Sequence, residues 1–304
     1  MGKLRISIVE YLNTAPLVWG FTEGPLVGKY DLSFTLPSQC AEALRHAEAD
    51  IAIIPAIEYQ RIENLVVLPG MAVASRGEVR SILVVAKKPI ELAKKIALDT
   101  SSRSSAALVR LLARDFWKIS PEFIDAAPEP REMLKFADAA LVIGDPALRI
   151  SLKMEALNSK PVGDGSCCQG DIEDMPVPGY ETVFIYDVAY QWQEMTGQPC
   201  VLAIWAARRE AITQEVIADF EASKRYGMER LREIAEAASI KLDLPPRALE
   251  RYLTDNIDYD LNEENLAGLR LYFEKAAAAG LIHGNRPIEF AGAALGNAAA
   301  NARS

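Results

Sequence analysis

Histidine is nearly missing from this chain. Its 304 residues include only His46 and His283, both in polar surroundings with no nucleophilic Ser or Cys motif beside them. A Ser-His-Asp relay or a histidine-built metal site has little to stand on. Cysteine is scarce too. Cys40, Cys167, Cys168 and Cys200 show no zinc-ligand spacing, and the adjacent pair cannot readily bridge itself, so reduced thiols are expected. No Lys/Arg-rich run occurs, and 42 acidic against 33 basic residues leave a formal charge of −9, which argues against a nucleic-acid partner. No apolar stretch approaches the roughly 20 residues that span a bilayer, so no membrane partner is expected. The N-terminal run through Val9 stops at Glu10, too early for a signal peptide, and points to the cytoplasm. The Gly-x-x-x-x-Gly-Lys pattern of a nucleotide-binding loop is also absent.

What the chain has is alternation. Half of its residues are hydrophobic, enough for one large core or two moderate ones. Short apolar runs read as strands at 4–9, 31–35, 51–54, 65–68, 80–86, 96–98, 122–125, 139–143, 182–186 and 200–206. Helical spacing lies between them at 14–21, 38–48, 57–61, 103–116, 130–137, 146–154 and 187–196, an α/β order. Helices at about 212–238, 246–253 and 262–280 follow without a clear strand. The long apolar strands 80–86 and 200–206 bracket a compact segment with strands and helices of its own. That predicts two lobes with a ligand cleft between them: 1–86 with 203–284 as one lobe, 87–202 as the other. The alanine-rich tail, 285–304, is expected to be disordered.

The richest stretch is 98–112. An apolar run ends in Asp99, five hydroxyl residues surround Arg103, and helical spacing begins at Ala106. Strand, polar turn, helix start is an order that suits an anion, because the first helical turn leaves N–H groups unpaired at the positive end of the dipole. Ser102, Arg103, Ser104 and Ser105 add donors there, and Arg can grip a carboxylate with two parallel bonds. The same turn also reads as an ordinary N-cap with spare serines. A second candidate, Tyr11-Leu12-Asn13-Thr14-Ala15-Pro16-Leu17, follows the first strand, where ligands of open α/β sheets collect.

These two segments, with Asp50-Ile51-Ala52-Ile53-Ile54-Pro55, Gly77-Glu78-Val79-Arg80-Ser81 and Val142-Ile143-Gly144-Asp145, resemble the chorismate dehydratase family of the futalosine route to menaquinone. Order and spacing match over roughly residues 4–283; Glu78 and Ser104 stand where Pro and Thr are expected, and the tail is extra. The resemblance implies a two-lobed type II periplasmic-binding-protein-like fold used as an enzyme. It implies a carbon–oxygen lyase that converts chorismate to 3-[(1-carboxyvinyl)oxy]benzoate and water. Aromatisation drives that reaction, so orientation and modest acid–base help suffice and neither metal nor cofactor is expected. A carboxylate of the substrate taking the C3 proton is also an expectation that comes with the family.

The residues read accordingly. Asn13 and Ser81 are the catalytic candidates, with Thr14, Ser38, Ser102, Arg103, Ser104, Ser105 and Asp145 as substrate-binding ones. Blander readings stand beside them: Asn13 as a cap of the 14–21 helix, Ser38 as a cap of 38–48, Asp145 as a cap before Pro146. Arg76 reads first as an exposed loop charge. Two other functions compete. A later futalosine-pathway enzyme of the same fold, 1,4-dihydroxy-6-naphthoate synthase-like, is expected to carry a histidine where Gly144-Asp145 stand. A non-catalytic small-carboxylate binding protein would be expected to carry an export signal or lipoprotein cysteine.

Overall fold

The computed structural model describes residues 2–158, 163–169 and 182–292. Two sheets carry the chain. The first has the order β2-β1-β3-β11-β4, built from β1 (Arg5–Val9), β2 (Asp31–Thr35), β3 (Ile51–Pro55), β4 (Leu65–Ser75) and β11 (Cys200–Arg208). β1 pairs in parallel with β2 and β3, whereas β11 runs antiparallel to β3 and β4. The second has the order β7-β6-β8-β5-β10-β9, from β5 (Ile82–Ala86), β6 (Lys95–Asp99), β7 (Glu122–Ala126), β8 (Ala139–Ile143), β9 (Asp164–Gln169) and β10 (Thr182–Asp187). Every residue of β3, β5 and β8 is buried, as expected of strands covered on both faces.

Helices cover those faces. α1 (Ala15–Thr22) and α2 (Pro37–Arg45) follow the first two strands; α3 (Arg103–Asp115), α4 (Pro130–Phe136), α5 (Gly144–Asn158) and α6 (Val188–Thr196) belong to the second sheet. α7 (Gln214–Met228), α8 (Leu231–Leu242), α9 (Pro246–Arg251) and α10 (Glu263–Ala278) close the chain around the first. Under that sheet Phe21, Phe220 and Trp205 pack edge to face, with centroids 4.8 and 4.9 Å apart. No helix of the described residues is long and apolar enough to cross a membrane.

Several sequence expectations change here. β5 is a strand of the second sheet, so the first crossing between lobes falls at 76–81, ahead of the boundary expected at 86. β11 already belongs to the first sheet at Cys200, where the return was expected at 203. β9 was not foreseen; its pairing with β10 supplies the order. The helix expected over 212–238 breaks into α7 and α8, because Arg230 leaves helical geometry at φ −130°, ψ 27°.

The tail expected to be disordered from 285 is ordered up to Gly292. Val67 N donates to Glu289 O and Ala291 N to Val67 O, both at 2.8 Å, so this segment pairs with the edge of β4. Arg286 stacks 4.1 Å above the Tyr59 ring. Edge pairing overrides composition here; residues 293–304 lie outside the described ones. Cys40, Cys168 and Cys200 are buried, and burial pushes the Cys40 thiol up to about 11.

α1 and α7 cross backbone to backbone. A Cβ at Gly227 would overlap the Pro16 carbonyl, and one at Gly20 would lie 2.5 Å from Ser223 Cα. Gly227→Ala must push the helices apart; we expect it to cost about 1–3 kcal/mol, the usual range for overpacking. Urea unfolding of the full chain measures it, and an unchanged midpoint would mean that the crossing yields freely.

Candidate active site

Five loops meet where the sheets face each other: the turn after β1, the start of α2, the crossing at 76–81, the turn after β6 and the turn after β8. Between them lies a cavity of about 50 Å³ lined by Tyr11, Asn13, Thr14, Ser81, Ser102, Ser105 and Gly144. Five of the expected site residues, drawn from both lobes, are thus brought together. A wider cleft of about 800 Å³ opens outside it, bordered by Gln39, Arg131, Asp145, Arg149, Lys153 and Lys241. Tyr11 lines both spaces. Burial pushes its phenol up to about 12, opposed by a hydrogen bond with Ser101, so it stays protonated.

Local chemistry fixes each residue. Asn13 sits in the short 3₁₀ turn Leu12–Thr14, and Thr14, not Asn13, occupies the N-cap position of α1. Its Oδ1 accepts from Thr14 Oγ1 at 3.3 Å. Ser102 is the N-cap of α3, yet its hydroxyl makes no cap hydrogen bond; it donates to Ser105 Oγ at 2.8 Å. The two serines thus face the cavity at a helix N-terminus rather than closing it off. Their carbonyl neighbour Ser101 accepts from Ser38 N across the lobes at 2.9 Å.

Ser81 is held from three sides. Its carbonyl accepts from Gly144 N at 2.8 Å, its hydroxyl accepts from Tyr252 Oη at 2.9 Å, and the residue before it is clamped. Arg80 has φ 60°, a left-handed geometry rare outside glycine. Its N–H donates to Asp187 Oδ2 at 2.6 Å, and its guanidinium pairs with Glu155. Burial pushes the Asp187 carboxyl up to about 7, against the pull of N–H groups from Tyr190, Arg80 and Val79. Tyr252 was missed by sequence reading. It lies in a wide helical turn, Tyr252–Asn256, and nothing local links it to a serine 171 positions away.

Four expected binding residues do not line that cavity. Arg103 pairs with Glu42 at 2.6 Å and with Glu58 at 2.9 Å. Glu58 is fully buried and also meets Arg45 and Arg61, so Arg103 turns toward the charge already enclosed there. Ser104 Oγ accepts from Ile57 N at 3.2 Å, which satisfies an orphan donor of the other lobe. Ser38 lies inside the first turn of α2, with Leu36 at the N-cap, and is not among the cavity's residues. Asp145 borders the outer cleft, but its Oδ1 accepts from Leu12 N at 3.0 Å, a further tie between the lobes. Burial raises its pKa, and the Leu12 N–H opposes that. Arg76 pairs with Asp258 and Glu264.

A family model described as menaquinone biosynthesis matches residues 4–278. A chorismate dehydratase of Thermus thermophilus is 27% identical over 282 residues, covering 90% of this chain and 95% of that protein. Among solved structures, AF1704 from Archaeoglobus fulgidus superposes with a TM-score of 0.70 at 20% identity, over 92% of this chain and 98% of that one. The periplasmic aliphatic sulphonate binding protein SsuA from Escherichia coli reaches 0.57 at 17%, over 94% and 90%. The fold is thus periplasmic-binding-protein-like.

Arg103→Ala and Ser104→Ala should act on stability. Removing Arg103 strips one charged bond from buried Glu58, worth about 1.5–3 kcal/mol, and Ser104→Ala removes a neutral one worth about 1 kcal/mol. Melting temperature and ligand affinity measured on the same preparations check this; unchanged melting with weakened binding would put both side chains back in the cleft.

Proposed function

From the premise that this chain belongs to the menaquinone-biosynthesis family, we propose that it is a chorismate dehydratase, a hydro-lyase acting in the cleft. The observation that carries this reading is the meeting of Asn13 and Ser81, from opposite lobes, on one small cavity beside the N-terminus of α3. Chorismate bears two carboxylates, an ether at C3 and a hydroxyl at C4. Breaking C3–H and C4–O forms the ring double bond, and the released proton and hydroxide leave as water. The product is 3-[(1-carboxyvinyl)oxy]benzoate.

In this reading one carboxylate rests on the N-terminal turn of α3 with Ser102 and Ser105, whose donors and dipole favour an anion. The other carboxylate takes the C3 proton. Asn13 holds the reacting part of the substrate, because an amide both donates and accepts but is a poor base. Ser81 donates to the departing C4 oxygen. The cavity of about 50 Å³ is near the volume of one or two waters, so binding requires the lobes to part and close again over the ring.

A naphthoate-forming relative would want a histidine at 144 or 145. Gly144 has φ 67°, and a Cβ there would lie 2.5 Å from the Tyr11 ring. No side chain fits at that position without displacing Tyr11, which favours the dehydratase reading.

The test is Asn13→Ala. An amide that positions the reacting group acts mainly in the transition state, so kcat with chorismate should fall about 100-fold with a smaller change in KM. Asn13 makes no helix-cap bond, so the melting temperature should fall only by the few degrees that its bonds with Thr14 and Tyr252 are worth. A destabilised variant with full turnover per folded molecule would move Asn13 from catalysis to structure.

A further inference from the structure

We propose that Tyr252 is a positioning residue that aims the Ser81 hydroxyl into the cavity. The inference rests on the dehydratase reading and assigns a task to a side chain outside the segments that carry it.

Tyr252 comes from the helical C-terminal part of the chain and reaches the crossing between the lobes. Its ring is 2% exposed, and its Oη donates to Ser81 Oγ at 2.9 Å. Burial pushes this phenol far above its ordinary range, opposed by Ser81 and by the Asn13 amide against the same hydroxyl. Tyr252 therefore remains a donor at any working pH. The turn that carries it is itself unusual. α9 ends at Arg251 and the next five residues form a wider π turn, a local distortion often found at functional sites. Asn256 at its far end donates to Glu78 O at 2.9 Å. One irregular turn thus grips the crossing segment twice, at Glu78 and at Ser81.

The consequence falls on the proton of Ser81. With Tyr252 donating to the serine oxygen, the hydroxyl can give its own proton to one of two places. One is Val79 O at 3.3 Å, longer than an ordinary O–H···O bond. The other is a group in the cavity that Ser81 lines. A bound hydroxyl is the better acceptor, and a donor that itself accepts a hydrogen bond is polarised toward giving. Ser81 then hydrogen-bonds the C4 oxygen as it departs, while the proton removed from C3 completes the water. Tyr252 never touches substrate. It removes the alternative orientations of the serine before the substrate arrives.

Tyr252→Phe keeps the ring and deletes the donor. We expect kcat with chorismate to fall about 10-fold with KM changed less than about 2-fold. Loss of the hydroxyl's neutral bonds with Ser81 and Asn13 should move the melting temperature by only about 2–8 °C. In a Ser81→Ala background the same substitution should change kcat less than about 2-fold, since Tyr252 acts through Ser81. Full kcat per folded Tyr252→Phe molecule overturns the inference, as does an equal loss with and without Ser81, and either leaves the dehydratase reading intact. Wild-type protein that leaves chorismate unchanged in the parallel assay overturns that reading and this inference together.

Discussion

The site depends on one clamped peptide. Where the chain passes from the first sheet to the second, Arg80 is held at positive φ by the Asp187 carboxylate on its N–H, and Ser81 follows in a fixed direction. Asp187 is itself fixed as the N-cap of α6, accepting from Ala189 and Tyr190. A residue in that geometry costs on the order of 1–3 kcal/mol and persists only where its surroundings over-determine it. Here the surroundings come from both lobes: Asp187 and Gly144 from one, Tyr252 and Asn256 from the other. In the proposed reading the crossing is therefore a seat for Ser81 as well as a connection.

Charge does different work on the two sides of the cleft. Glu58, without exposed surface, gathers Arg45 and Arg61 from its own lobe and Arg103 from the other. Ser104 on Ile57 N and Tyr272 on Ser104 O tie the same region with neutral bonds. The enclosed side is thus cross-linked, while the outer side, with Arg131, Arg149, Lys153 and Lys241, stays open to solvent. That outer cleft mixes its four cations with Glu10, Glu129 and Asp145, and Lys241 pairs with Glu10 at 2.8 Å, so its lining is nearly balanced in charge.

Much of the fold was legible because fully covered strands read as short apolar runs, and β3, β5 and β8 stood out for that reason. The anion turn was legible as a segment but not side chain by side chain. Ser102 and Ser105 share a helix face with the cavity, whereas Arg103 and Ser104 lie on faces turned to Glu58 and Ile57. Sequence spacing gives the helical period but not the absolute rotation of a helix against its neighbours. Tyr252 was illegible for a harder reason: its partner is brought to it by topology alone. β9 and the paired segment up to Gly292 were missed because edge pairing, not local pattern, orders them.

The central claim is that this cleft dehydrates chorismate, and mass spectrometry of the product tests it most directly. Purified full-length protein incubated with chorismate should yield a species lighter by one water, with the aromatic proton signals of a 3-substituted benzoate in NMR. Chorismate recovered intact, or cleaved to pyruvate and a hydroxybenzoate, would contradict the account.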